Sequence, residues 1–221
     1  MITIRSEVRV RQTAGVTIGL IAINTAVFIY EMTLSPRGLN HLVLQWGIVP
    51  DQLNTASLFT SMFLHAGWLH LGGNMLYLWV FGRNVEDLIG GAKFLGFYLL
   101  CGLAAAVVHV IANIHSPAPT IGASGAIAGV MGAYLIKFPR ARIFTLIFFF
   151  FVTTVEFPAW LLLLWWFAIQ FFSGFGSLGS NNYGGGTAWF AHVGGFLAGM
   201  ALIRLFPPKR RWRNWYVDEE Y

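Results

Sequence analysis

The stretch TIGASGAIAGVMGAY, residues 120–134, sets a serine between glycines in a region that has no Asp, Glu, Lys or Arg from residue 94 to residue 136. A hydroxyl there asks for a reason, and the surrounding composition says what kind of protein must supply it. Of the 221 residues, 57% are hydrophobic and 10% charged, too few charges to cover a water-soluble surface. The mean hydropathy of +0.65 points the same way, to a lipid bilayer as the surrounding medium. Cys101 stands alone, so disulfides cannot staple the fold.

A helix rising 1.5 Å per residue needs about 20 apolar residues to cross about 30 Å of hydrocarbon. That ruler selects the segments 13–33, 58–81, 94–114, 121–137, 158–174 and 187–206. Lipid does not tolerate open backbone, so the expected fold is all-α: a polytopic bundle of six transmembrane helices over 1–206, followed by a cytoplasmic tail, 207–221. The run IFTLIFFFFVTTV, 143–155, is too short to cross and is expected at the cytoplasmic interface or as a shallow re-entrant piece, with a buried helical extension as the alternative.

Basic residues test the count. Arg5, Arg9 and Arg11 precede the first segment, Arg83 and Lys93 flank the second connection, Lys137, Arg140 and Arg142 follow the fourth segment, and Arg204 to Arg213 close the sixth. The other connections, 34–57, 115–120 and 175–186, hold only Arg37. This alternation places both termini in the cytoplasm, and it reads the net charge of +5 as orientation rather than as nucleic-acid binding. The basic start resembles a signal peptide but lacks a persuasive cleavage site, so it is read as a retained first span. The long connection 34–57 is expected partly in the outer interface, and the Gly, Ser and Asn-rich 175–186 as a mobile lid.

Orientation then gathers the polar residues at one depth. Ser124 opens the fourth segment at its outer end, and His192 lies about five residues into the sixth, roughly 7 Å deep. His70 and Asn74, one turn apart, lie in the outer half of the second. Polar side chains inside a membrane face a cavity or a partner. Imidazole can relay a proton for serine, and an N–H, an amide and a backbone N–H can receive a developing oxyanion. Gly125 and Gly129, like Gly195 and Gly199, are four apart and let helices approach closely, which would bring Ser124 to His192. Singly, each has a plainer reading: Ser124 as a small packing residue, and His192, His70 and Asn74 as hydrogen-bonding glue. Their common depth favours the joint reading. His65, His109 and His115 sit near segment ends as wet, hydrogen-bonded groups, and no histidine spacing suggests zinc.

With HLGGN (His70, Asn74), GASG (Gly122 to Gly125) and AHVGGFLAG (His192, Gly195, Gly199) in this order, the chain resembles the rhomboid intramembrane serine proteases. GRNVE, 82–86, resembles that family's turn after the second span. The resemblance implies a dyad of Ser124 as nucleophile and His192 as base, and an oxyanion site of His70, Asn74 and the Ser124 backbone N–H. It also implies transmembrane proteins as substrates, reaching the site sideways between the second and fifth spans, with no metal or organic cofactor. Two departures stand out. Ala56-Ser57 replaces the family's Trp-Arg in the first outer loop, and Ala128 replaces an aromatic against the histidine ring, so something else must orient His192.

Two other functions compete. A catalytically inactive rhomboid-like protein would bind transmembrane segments for quality control or trafficking, but would not need Ser124, His192, His70 and Asn74 together. A channel or transporter would require inverted repeats, which the sequence lacks. The default membrane is the bacterial cytoplasmic one, and nothing in the sequence sets an oligomeric state.

Overall fold

The computed structural model describes residues 2–148, 152–177 and 188–209. In chain order it contains β1 (Ile2–Ser6), α1 (Gly15–Thr33), α2 (Pro36–Trp46), the single turn α3 (Ser57–Thr60), α4 (Trp68–Tyr77), α5 (Arg83–Ile89), α6 (Gly91–Ala112) and α7 (Ser124–Lys137). Then follow β2 (Arg142–Phe148), β3 (Val152–Pro158), α8 (Ala159–Ser177) and α9 (Trp189–Leu202). The expected lid and tail fall, past Ser177 and Lys209, outside the described residues.

A helix stands in each of the six expected segments, and the chain is an integral membrane protein of mostly helical fold. Among the described residues α1, α6 and α8 are long and apolar enough to cross a bilayer, while α7 and Trp189–Leu205 are shorter apolar helices. The second segment departs from its expected bounds. Residues 61–67 are a short 3₁₀ turn and a loop, so the helix begins at Trp68. It then runs on through a π-helical turn, Leu78–Gly82, into α5. The GRNVE stretch, expected as a turn, is therefore helical. The chain turns at Gly90, whose φ of 95° suits glycine.

Residues 143–155 depart further. The described ones, 143–148 and 152–155, are strand rather than helix: β2 and β3 pair antiparallel, and β1 adds to β2 to give a three-stranded sheet ordered β1-β2-β3. β-branched and aromatic residues favour strands, and a sheet at the end of a bundle need not expose its backbone to hydrocarbon. Ser6 and the Tyr134 hydroxyl, 2.6 Å apart, tie this sheet to the base of α7.

α7 is the axis of the bundle, buried without interruption from Gly125 to Leu135. α9 and α6 pack on it most extensively. Glycine sets those distances. A Cβ on Gly195 would fall on the carbonyl oxygen of Gly125, one on Gly199 on that of Gly129, and one on Gly132 on that of Phe196. On the α6 side, Gly125 faces Ala105 and Gly129 faces Cys101. α1 has no side-chain cap of its own. The buried Glu86 carboxylate supplies one, accepting the Val16 N–H at 2.9 Å and the Thr17 N–H at 2.7 Å, where the helix dipole favours negative charge.

Candidate active site

Ser124 is the first residue of α7, so its backbone N–H is one of the donors a helix N-terminus leaves without an intrahelical acceptor. Its half-buried side chain meets α9 from across the close seam: Ser124 Oγ lies 2.8 Å from His192 Nε2. The two residues are 68 apart in sequence and are joined by the backbone approach of Gly125 to Gly195. A hydroxyl hydrogen-bonded to an imidazole nitrogen can pass it a proton while attacking an electrophile.

His70 and Asn74 reach the same cavity from α4. This space of about 940 Å³ also exposes Ser124, His192, Tyr77 and Trp166. The backbone N–H of Ala66 donates to His70 Nδ1 at 3.2 Å. A neutral imidazole accepting at Nδ1 carries its proton on Nε2, so His70 offers an N–H to the cavity. Asn74 is buried, and its Nδ2 has no hydrogen-bond partner among the described residues. Gly122 brings the chain over this pair with φ of 126°, and a Cβ there would meet the His70 ring at 2.7 Å. Gly122 N–H donates to the Ser61 carbonyl at 2.8 Å, which fixes the loop leading into Ser124. Three donor types thus border the space beside the Ser124 hydroxyl.

The remaining histidines divide. His109, expected in a wet setting, is buried, with its Nε2 2.8 Å from Thr120 Oγ1 in the loop that leads to Gly122. His65, expected in a wet setting, is instead 3% exposed. Its backbone N–H donates to both oxygens of the buried Glu31 carboxylate, at 3.2 and 3.3 Å, anchoring the loop before α4. Where Trp-Arg was missing, Ser57 is fully buried and its Oγ donates to the Asn54 carbonyl at 2.6 Å. Thr60 Oγ1 closes the same loop onto the Trp46 carbonyl at 2.7 Å.

Sequence reasoning missed one residue at the centre of the site. Gln170 Oε1, from α8, lies 2.7 Å from His192 Nδ1. A signal for it existed, since Gln170 is the sole polar side chain between residues 159 and 172, and an isolated amide in an apolar helix needs a partner.

These features define a membrane-embedded bundle of rhomboid type, and the comparison with known families agrees. The family model for the Rhomboid domain matches residues 52–209, and the chain belongs to that family. Among its relatives, "Rhomboid protein 1, mitochondrial" of Saccharomyces cerevisiae is 33% identical over 135 residues, 58% of this chain and 38% of that protein. "RHOMBOID-like protein 6, mitochondrial" of Arabidopsis thaliana is 29% identical over 189 residues, 80% and 53% of the two chains. "Rhomboid protease GluP" of Bacillus subtilis is 42% identical over 78 residues, 35% and 15% of the two. The chain thus spans about half or less of the length of these relatives. Two of the three are mitochondrial proteins, so the expected bacterial cytoplasmic membrane gains no support.

Proposed function

We propose that this chain is an intramembrane serine endopeptidase that cleaves transmembrane segments of other membrane proteins. The observation that carries the reading is the 2.8 Å contact between Ser124 Oγ and His192 Nε2 inside a cavity bordered by His70 and Asn74. Ser124 Oγ attacks the scissile carbonyl as its proton passes to His192 Nε2. The oxyanion forms against the His70 Nε2–H, the Asn74 amide and the Ser124 backbone N–H, donors set before charge develops. The imidazolium returns the proton to the leaving amine, and water, activated by the same nitrogen, hydrolyses the acyl-enzyme. No cofactor is needed for these steps.

The same reading takes all six apolar helical segments as spans, with both termini cytoplasmic and the dyad in the outer half. Substrate reaches it between α4, which contributes Gly73, Asn74 and Tyr77 to the cavity wall, and α8, which contributes Trp166. That a relative is named a rhomboid protease supports the assignment.

The test uses the full chain in proteoliposomes with a fluorophosphonate probe and a tagged library of single-span proteins. Labelling and cleavage are expected in the intact chain and absent in Ser124→Ala, and labelling is expected to be lost in His192→Ala. A folded chain that neither labels nor cleaves would instead be a binder of transmembrane segments, and cleavage that survives Ser124→Ala would move the nucleophile elsewhere.

A further inference from the structure

A serine-histidine pair works only if the imidazole presents a bare nitrogen to the hydroxyl. Most such sites fix this with a carboxylate on the far nitrogen, and here no Asp or Glu is hydrogen-bonded to His192 among the described residues. The far nitrogen faces an amide. Gln170 is 6% exposed, and its Oε1 stands 2.7 Å from His192 Nδ1. An amide oxygen only accepts, so in this orientation of the amide the ring proton sits on Nδ1 and Nε2 is bare toward Ser124 Oγ. The reverse presentation, an NH2 toward Nδ1, would leave the proton on Nε2 pointing at the serine and remove the base. One turn earlier on the same face of α8, Trp166 lies along the His192 ring, with centroids 5.7 Å apart and planes at 38°. Its indole gives the imidazole an aromatic neighbour, which the methyl group of Ala128 on α7 does not.

We infer that Gln170 is a positioning residue, holding His192 in the tautomer with a free Nε2, and that Trp166 fixes the plane of the ring from the same helix. This rests on the protease reading of Ser124 and His192. Gln170 touches no reacting atom. It acts through the imidazole, so its removal lowers turnover and leaves substrate binding alone.

Three measurements on the full-length chain in proteoliposomes decide it. Gln170→Leu, which offers no acceptor, is expected to lower kcat roughly 10–100-fold, the lower part of what general-base catalysis contributes, with KM unchanged within about threefold. Gln170→Glu, which offers only acceptors, is expected to restore kcat to within about threefold of the parent. Nitrogen-15 NMR of the unsubstituted chain, with the His192 signals assigned by their loss in His192→Ala, is expected to show Nδ1 protonated and Nε2 bare. The inference is overturned by a folded Gln170→Leu of undiminished kcat, by a folded Gln170→Glu no more active than Gln170→Leu, or by the opposite tautomer. The NMR result stands even if both variants fail to fold. A parent chain that neither cleaves nor labels at Ser124 refutes the protease reading separately, while the tautomer still decides what Gln170 does to His192.

Discussion

α9 meets two of its neighbours in two different ways. Against α7 it lays backbone on backbone: Gly195 and Gly199 sit over the carbonyls of Gly125 and Gly129 with no room for a methyl group. Against α8 it meets rings, Phe167 on Phe196 at 4.9 Å between centroids and Trp166 on Phe196 at 6.0 Å. Much of α8 faces outward, with Trp165 62% and Phe172 72% exposed. The first seam can hold only one separation, because neither side has a side chain to yield. The second is made of large side chains that can slide. The distance from Ser124 to His192 belongs to the rigid seam, and the orientation of the His192 ring belongs to the adjustable one.

The largest effect should come from forcing the rigid seam apart. Gly199→Ala drives a methyl into the Gly129 carbonyl, and overpacking of this kind costs about 1–3 kcal/mol or more. Thermal unfolding in detergent should show the loss, and cleavage should fall with it. A Gly199→Ala chain of parental stability would mean that the seam is not tight. Next come the donors on the third wall of the cavity. His70→Ala and Asn74→Ala should each slow turnover roughly 10–1000-fold with the fold intact, the scale of a lost oxyanion donor. Unchanged rates would remove them from that role.

Smaller effects separate the sheet and the outer face of α8 from the seams. Ser6→Ala leaves the buried Tyr134 hydroxyl without its 2.6 Å partner and should cost about 1–3 kcal/mol in unfolding experiments, with kcat unaltered. A fall in kcat would show that the sheet acts on the site. Trp165→Ala, on the exposed face, trades indole for detergent against the helix and should stay within about 0.5 kcal/mol of the parent in detergent micelles. A large loss there would mean that α8 is packed more firmly than its exposure shows.

Hydropathy made the helices readable, because crossing lipid imposes a length and a composition that few other structures satisfy. The sheet escaped for an equally physical reason. β1 inverts the usual pattern, burying Thr3 and Ser6 while Ile2 and Ile4 stay exposed, so a search for apolar residues pointing inward misreads it. In 143–155 the β-branched and aromatic content is visible, but a span-length ruler says only that the run is too short to cross, and pairing with β1, far away in the chain, leaves no local trace. The residues gathered at one depth, Ser124, His192, His70 and Asn74, do line one cavity. Gln170 and Glu31 were passed over, since the polar groups sought were those of known acyl-transfer chemistry rather than those that steady them. Contacts such as Glu31 with the His65 backbone arise only from folding and leave no periodic trace.

α8 has a footing and a free reach. Its first two amides donate outside the helix, Ala159 to the Ala141 carbonyl at 2.8 Å and Trp160 to the Pro139 carbonyl at 2.9 Å, beside the sheet. Gln170 stands eleven residues farther on, about 16 Å along the axis. Swinging this lever by about 10° around its base would carry the amide about 3 Å, by the same helical geometry, as much as the whole length of its bond to the imidazole. On the proposed reading, in which substrate enters between α4 and α8, an outward swing of α8 would also part Gln170 from His192 Nδ1, so that cleavage would wait for the helix to return.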